Sequence, residues 1–286
     1  MTTRRWLLYA ITTTLFWGVW GAFIEVPEKA GFPATLGYTV WALTMIPCAL
    51  VALSLAGWKL ERDRRAVLLG CTVGLLGAGG QLILFEALKL GPAYLVFPLI
   101  SIYPVITVLL STTVLRERAG RRAWAGIVTA LIAIPAISYI PPGNTAAQGR
   151  VWMLLALLVF VAWGVQAFVM KFANRTMQAE SIFFYMMATA VALIPFAIFM
   201  TDFSKPINWG FRGPYLAALI QVLNSIGALT LVYAVRYGKA MIVVPMTALA
   251  PVLTILISLA LYRVVPDPIV LSGMACAAVA IYLLAE

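Results

Sequence analysis

Histidine is absent from the 286 residues, and ten acids face twenty Lys and Arg, so charged residues make up only 10% of the chain. Without a histidine, Ser–His and Cys–His nucleophile pairs lack their base. Cysteine is scarce: Cys48, Cys71 and Cys276 stand singly within apolar runs. They lack the paired spacing of a metal site or a disulfide framework and read as small hydrophobes. No Gly-x-x-x-x-Gly-Lys-Ser/Thr run and no dinucleotide fingerprint occurs, so ATP coupling within the chain is not expected. The glycines from Gly74 to Gly80 lie inside an apolar run and form no phosphate loop. A lipid-modifying membrane enzyme would carry acids or histidines at loop–helix junctions, and only Asp63, Glu117, Asp202 and Asp267 stand near such places. The expectation is a chain that is not an enzyme and holds neither metal nor cofactor.

What the chain has in excess is apolar surface. Hydrophobic residues make up 63% of it and the mean hydropathy is +1.00, against roughly 45–50% apolar residues in a soluble domain. Such a chain cannot cover itself with polar groups, so its solvent is lipid. Ten apolar stretches follow one another, near 6–25, 34–56, 66–88, 92–114, 123–140, 151–171, 180–200, 213–235, 239–261 and 267–285. Each is close to the ~20 residues that cross a bilayer as a helix. The expected fold class is an all-α integral membrane protein of ten transmembrane helices. A net charge of +10 would point to nucleic acid in a soluble protein. Here it marks loops, and no nucleic-acid partner is expected. With the N-terminus inside, Arg4, Arg5, the basic cluster at 59–65 and the one at 116–122 all fall on the inner side. Lys29, Lys89, Arg150, Lys205, Arg212 and Arg263 fall outside, so both termini are expected in the cytoplasm. Arg4-Arg5 before an apolar run is reminiscent of a signal peptide. That run is too long for one, and no small-x-small site closes it, so the segment is expected to be retained.

The chain repeats itself. Shifted by 147 residues, 87–134 lies on 234–281 without a gap and with fourteen identities, among them Gly91/Gly238, Pro98/Pro245, Pro104/Pro251 and Gly126/Gly273. At a shift of 146, Trp17-Gly18-Val19 falls on Trp163-Gly164-Val165. The division expected is 1–145 and 146–286, five helices each. Five is odd, so the second copy enters the membrane from the other side and the halves form an inverted repeat. The loops agree: the basic run Arg116 to Arg122 has as its mate Arg263-Val264-Val265-Pro266-Asp267-Pro268, which keeps one arginine.

The run Ala87-Leu88-Lys89, then Pro104-Val105, Leu115-Arg116-Glu117-Arg118 and Gly126 resembles the repeat of EamA-type proteins in the drug/metabolite transporter superfamily. The Trp-Gly pair of each first helix fits the same pattern, and the likeness covers the whole chain as two copies. Within that superfamily the aromatic first helix and uncharged interior look closest to bacterial aromatic amino-acid exporters. The resemblance implies a carrier in the bacterial inner membrane. One departure stands out: Val264 occupies the position that corresponds to Glu117, so no role of that acid transfers to the second copy.

Substrate sites in inverted repeats lie near the midplane, beside interrupted helices. Gly70, Gly74, Gly77 and Gln81 share one stripe of the third helix, whose mates on the eighth include Gln221, Asn224 and Ala228. The stripe faces protein or a cavity, because an amide facing hydrocarbon is costly. Its amides either tie neighbouring helices or line the cavity. Trp17 and Trp20 on the first helix, and Trp163 and Gln166 on the sixth, each stand at i and i+3. Trp17 and Trp163 sit too deep for the interfacial belt and are expected to line the cavity rather than only pack. Trp17, Trp20, Gln81, Trp163, Gln166, Asn224, Tyr103 and Gln221 are therefore the substrate-binding candidates. Tyr38, Trp41, Phe85, Tyr94 and Tyr185 stand behind them and read more as core. Pro98, Pro104, Pro245 and Pro251 interrupt the fourth and ninth helices and are expected to act as hinges or gates, or simply as kinks. Glu86 lies inside an apolar stretch but close to Lys89, and reads as half of a rim ion pair.

These readings converge on a secondary transporter that exports small amphipathic metabolites, foremost aromatic and bulky apolar amino acids, by alternating access and without tight proton coupling. Its partners are expected to be the substrate and the lipid bilayer, with the chain acting as a monomer. Two other readings stay open: a carrier of nucleotide sugars or phosphorylated metabolites, for which Lys171 is the marginal cation, and a non-transporting scaffold or lipid-modifying enzyme.

Overall fold

The computed structural model describes residues 5–91, 93–142, 150–262 and 266–285, and among these every regular element is helical. In chain order the segments are α1 (Arg5–Lys29), α2 (Ala34–Leu55), α3 (Arg64–Leu90), α4 (Ala93–Ser101 and Pro104–Thr113) and α5 (Arg121–Ile137). The second series is α6 (Val151–Ala173), α7 (Ala179–Phe199), α8 (Phe211–Tyr237), α9 (Ala240–Thr247 and Ala250–Tyr262) and α10 (Pro268–Leu284). Eight stretches of the described residues are long and apolar enough to cross a membrane. The remaining two, α5 and α10, are 17 residues each and pack on each other. Ten crossings return the chain to the face it left, so both termini share one face, called the terminal face below. Arg4, Asn144, Arg263 and the side chain of Tyr94 lie outside the described residues.

Local chemistry sets the helix ends. Asp63 accepts from Ala66 N at 3.1 Å and starts α3, and Asp267 accepts from Ile269 N at 2.8 Å and starts α10, each satisfying a donor that a helix start leaves open. Gly31, at φ 92°, turns the chain out of α1, a conformation that costs glycine nothing. In mid-membrane α3 widens into a π-turn over Leu75–Gly79. Such bulges shift the following turn and recur at functional sites.

Packing between the halves follows an approximate two-fold rule. α1 lies against α8 and α9, as its mate α6 lies against α3 and α4. Thr107 Oγ1 donates to Gly164 O at 2.8 Å, and its mate Thr254 Oγ1 donates to Gly18 O at 2.9 Å. Gly91 packs under Trp152 as Gly238 packs beside Trp6, but at opposite faces of the membrane. Lipid offers helices no hydrophobic incentive to associate, so these close approaches of small residues, with hydrogen bonds worth about 0.6–2 kcal/mol each, hold the bundle. Leu8, Leu55 and Phe199 point outward, as lipid contact requires. The ten-helix, two-copy inverted architecture expected from the repeat is the one observed.

Candidate functional site

The two proline pairs bracket the breaks. α4 loses its helix at Ile102–Tyr103, between Pro98 and Pro104, and α9 at Ala248–Leu249, between Pro245 and Pro251. Each first half-helix keeps its inner proline within it, and Pro104 opens the second half of α4. Proline contributes no N–H and its ring crowds the carbonyl one turn back, so the helical ladder is interrupted there although Tyr103 itself keeps near-helical angles (φ −49°, ψ −28°).

A cavity of about 320 Å³ lies beside both breaks. Trp17, Trp20 and Gly21 of α1, Ser101 and Tyr103 at the α4 break, and Ile134 and Ser138 at the end of α5 form three of its walls. Thr247, Ala248, Ala250, Pro251 and Thr254 around the α9 break form the fourth. Its lining holds aromatic rings, hydroxyls and no charged side chain. It sits in the half of the bundle away from the termini. A second hollow, about 460 Å³ and open, is bounded by the α2–α3 loop residues 58–62 and Gln178 on the terminal face, far from the breaks.

The predicted residues divide. Trp17, Trp20 and Tyr103 line the cavity. Trp163 is not among its lining residues but meets Tyr103 edge-on, with ring centroids 6.0 Å apart. Both deep indoles are anchored by related bonds: Trp17 Nε1 donates to Asn224 O at 3.4 Å, and Trp163 Nε1 to Gly77 O, its mate, at 3.3 Å. Gln221 is engaged twice, accepting from Trp20 Nε1 at 3.0 Å and donating to Gly37 O at 3.3 Å. It ties α1, α2 and α8. The amide of Gln166 rests against Gly77. Gln81, Gln166 and Asn224 are half-buried, and among the described residues none of the three makes a side-chain hydrogen bond. Of the second group, Tyr38 donates to Ala190 O at 3.1 Å and Tyr185 to Glu61 O at 2.6 Å, so both hold core positions. The glycine stripe is a packing face: Gly70 abuts Tyr185, Gly74 abuts Thr189, and Gly77 abuts Gln166.

The terminal face is closed. The second half of α4 packs against the first half of α9, whereas among the described residues no comparable packing joins the mates of these pieces on the other side of the cavity. Glu117 makes the closure: its carboxylate accepts from Ala240 N at 3.2 Å and Met241 N at 3.1 Å, capping α9. Arg116, at φ 56°, turns the chain so that Glu117 reaches that helix. Lys171 lies 3.9 Å from the same carboxylate and donates to Val235 O and Gly238 O. Tyr233 donates to Glu180 Oε1 at 2.5 Å and stacks on Tyr9 at 5.0 Å. Glu86 and Lys89 form an ion pair at 2.7 Å near the opposite face.

Sequence reasoning missed the hydroxyls of Ser101, Ser138, Thr247 and Thr254, although three of them lie within four residues of the prolines. It also weighed only Glu86 among the acids of the apolar stretches. Glu180 lies in the first turn of α7, and it escaped because it opens its segment.

The sequence profile of the EamA-like transporter family matches residues 4–139 and again 150–285. An uncharacterized protein of Methanocaldococcus jannaschii is 32% identical over 107 residues, which is 37% of this chain and 76% of that one. A crystal structure superposes with a TM-score of 0.81 at 19% identity, covering 99% of this chain and 96% of the other. That last likeness is one of fold.

Proposed function

The chain belongs to the EamA-like transporter family, and from that premise we propose that it exports small amphipathic metabolites, foremost aromatic and other bulky apolar amino acids. The observation that carries this reading is the uncharged cavity between the two helix breaks, walled by Trp17, Trp20 and Tyr103 and edged by hydroxyls. Aromatic walls favour an aromatic or bulky apolar body, and a few placed polar groups fix its orientation. Rocking of one half against the other would expose this cavity first to one face and then to the other, with the four prolines Pro98, Pro104, Pro245 and Pro251 as hinges. We place both termini in the cytoplasm of a bacterial inner membrane, on the loop charges.

A carrier of phosphorylated metabolites needs a cation at mid-membrane depth to pair the phosphate. Lys171, the marginal candidate, lies in the last turn of α6 and donates to Val235 O and Gly238 O, which argues against that alternative. Counterflow of labelled phenylalanine in proteoliposomes tests the reading. Accumulation against an unlabelled internal pool is expected, and its absence for phenylalanine, tryptophan and leucine alike would sink it.

A further inference from the structure

The geometry points to a subsite for a cationic group at the paired helix breaks, filled by the substrate's own ammonium. This rests on the transport reading above and narrows it to substrates recognised through their amino end.

The first half of α4 ends at Ser101 and the first half of α9 at Thr247, and both ends meet the cavity. A helix C-terminus carries partial negative charge on its open carbonyls. At these two breaks the prolines and tightened turns interrupt the ladder that would reach those carbonyls. Val105 N turns to Ile102 O at 3.0 Å, and its mate Val252 N turns to Leu249 O at 3.0 Å and leaves Ala248 O. Pro251 has no N–H to return to Thr247 O. Pro104 and Pro251 likewise have no N–H for Ser101 O and Ala248 O three residues back, so each of the three carbonyls lacks one of its usual helical donors.

The donors around the cavity are engaged elsewhere. Ser101 Oγ donates to Pro98 O at 2.8 Å, Thr247 Oγ1 to Val244 O at 3.2 Å, and Thr254 Oγ1 to Gly18 O at 2.9 Å. The indoles of Trp17 and Trp20 are bonded to Asn224 O and Gln221 Oε1. The second half-helices, whose N-termini would ordinarily welcome an anion, are blunted: Pro104 and Pro251 carry no N–H, and Ile106 N donates to Tyr103 O at 3.1 Å. The hydroxyls of Tyr103 and Ser138 are the lining side-chain donors left without a described partner. An incoming carboxylate or phosphate thus meets lone pairs and at most two neutral side-chain donors. An ammonium meets three carbonyls that each lack a usual helical donor, the lone pairs of three hydroxyls and two tryptophans, the aromatic residue that attracts cations best. The same carbonyls would suit a bound sodium ion, so the test separates the two sources of positive charge.

The purified full-length protein is loaded with labelled phenylalanine and challenged with analogues, with and without sodium. Phenylethylamine and phenylalaninamide, which keep the amino group, should compete within about tenfold of phenylalanine. N-acetylphenylalanine and phenylpropionate, which lack the ammonium, should be weaker by roughly a hundredfold, as the loss of charge-assisted hydrogen bonds implies. Pro251→Ala returns an N–H to Thr247 O and should weaken phenylethylamine by about tenfold while leaving N-acetylphenylalanine where it was. Equal competition by N-acetylphenylalanine, or failure of phenylethylamine, overturns the ammonium subsite while transport stands. Binding that demands sodium and tolerates acetylation assigns the carbonyls to the metal and likewise overturns it. If phenylalanine itself does not bind, the transport reading fails and takes the subsite with it.

Discussion

A Cβ placed on Gly80 would fall 2.5 Å from Trp163 Nε1, and one on its mate Gly227 would fall 2.5 Å from Trp17 Nε1. Two flat indoles are thus seated on two bare stretches of backbone, one in each half, and in both cases the indole N–H then reaches a carbonyl three residues earlier on the same helix. Only glycine lets the helices approach so closely, because the neighbour is a rigid ring rather than the tip of a flexible chain.

Gly80→Ala and Gly227→Ala should each destabilise the protein by about 1–3 kcal/mol, the usual cost of overpacking. Gly79→Ala is the control: its Cβ meets open space, and alanine is the better helix former. Thermal unfolding in detergent followed by tryptophan emission should lower the midpoint for the first two and leave it level or raised for the third. Equal effects of all three substitutions would contradict the seating.

Glu117→Gln keeps the shape of the α9 cap but removes its charge opposite Lys171. We expect a loss of about 0.5–2 kcal/mol in helix capping and a shift of the bundle toward opening on the terminal face. Single cysteines placed at Thr247 or Ala248 in a cysteine-free background should become more reactive to a membrane-impermeant maleimide from that face. Unchanged labelling would show that closure does not depend on the acid.

Trp20→Ala removes a cavity wall and also releases Gln221, whereas Trp163→Ala acts through Tyr103. Counterflow should show a raised KM for Trp20→Ala, by roughly tenfold for the loss of one large aromatic contact. Trp163→Ala should instead mainly lower the maximal rate, since its ring supports the α4 break rather than touching the lumen. The amide variant Gln81→Ala should weaken substrate affinity as well. Wild-type kinetics in all three would remove these residues from the site.

No charged side chain lines the cavity, and the chain has no histidine to titrate near neutrality. Phenylalanine counterflow should vary less than about threefold between pH 6 and 8, where histidine is the side chain that ordinarily changes charge. Proton flux measured with an internal dye should bear no constant ratio to substrate flux. A fixed stoichiometry would point to Glu180 and Tyr233, the acid–phenol pair at the terminal end of α7 and α8.

Composition by itself determined that lipid is the solvent, and the 147-residue shift with an odd helix count determined that the two halves are inverted. The proline pairs likewise located both breaks before any coordinates, because a missing N–H is a covalent fact. What tertiary structure alone decided is everything that distinguishes one half from the other. The repeat describes two equivalent arrangements, open on one face or on the other, and its period cannot choose between them. The choice rests on contacts such as Glu117 with Met241, 124 residues apart in the chain, for which the second copy has only Val264. The fate of the amides was equally hidden. Gln221 and Asn224 are indistinguishable on one helical stripe, yet one is held by Trp20 and Gly37 while the other's side chain stays open. A hydrogen bond to a different helix depends on where that helix lies, and that is settled only when the bundle packs.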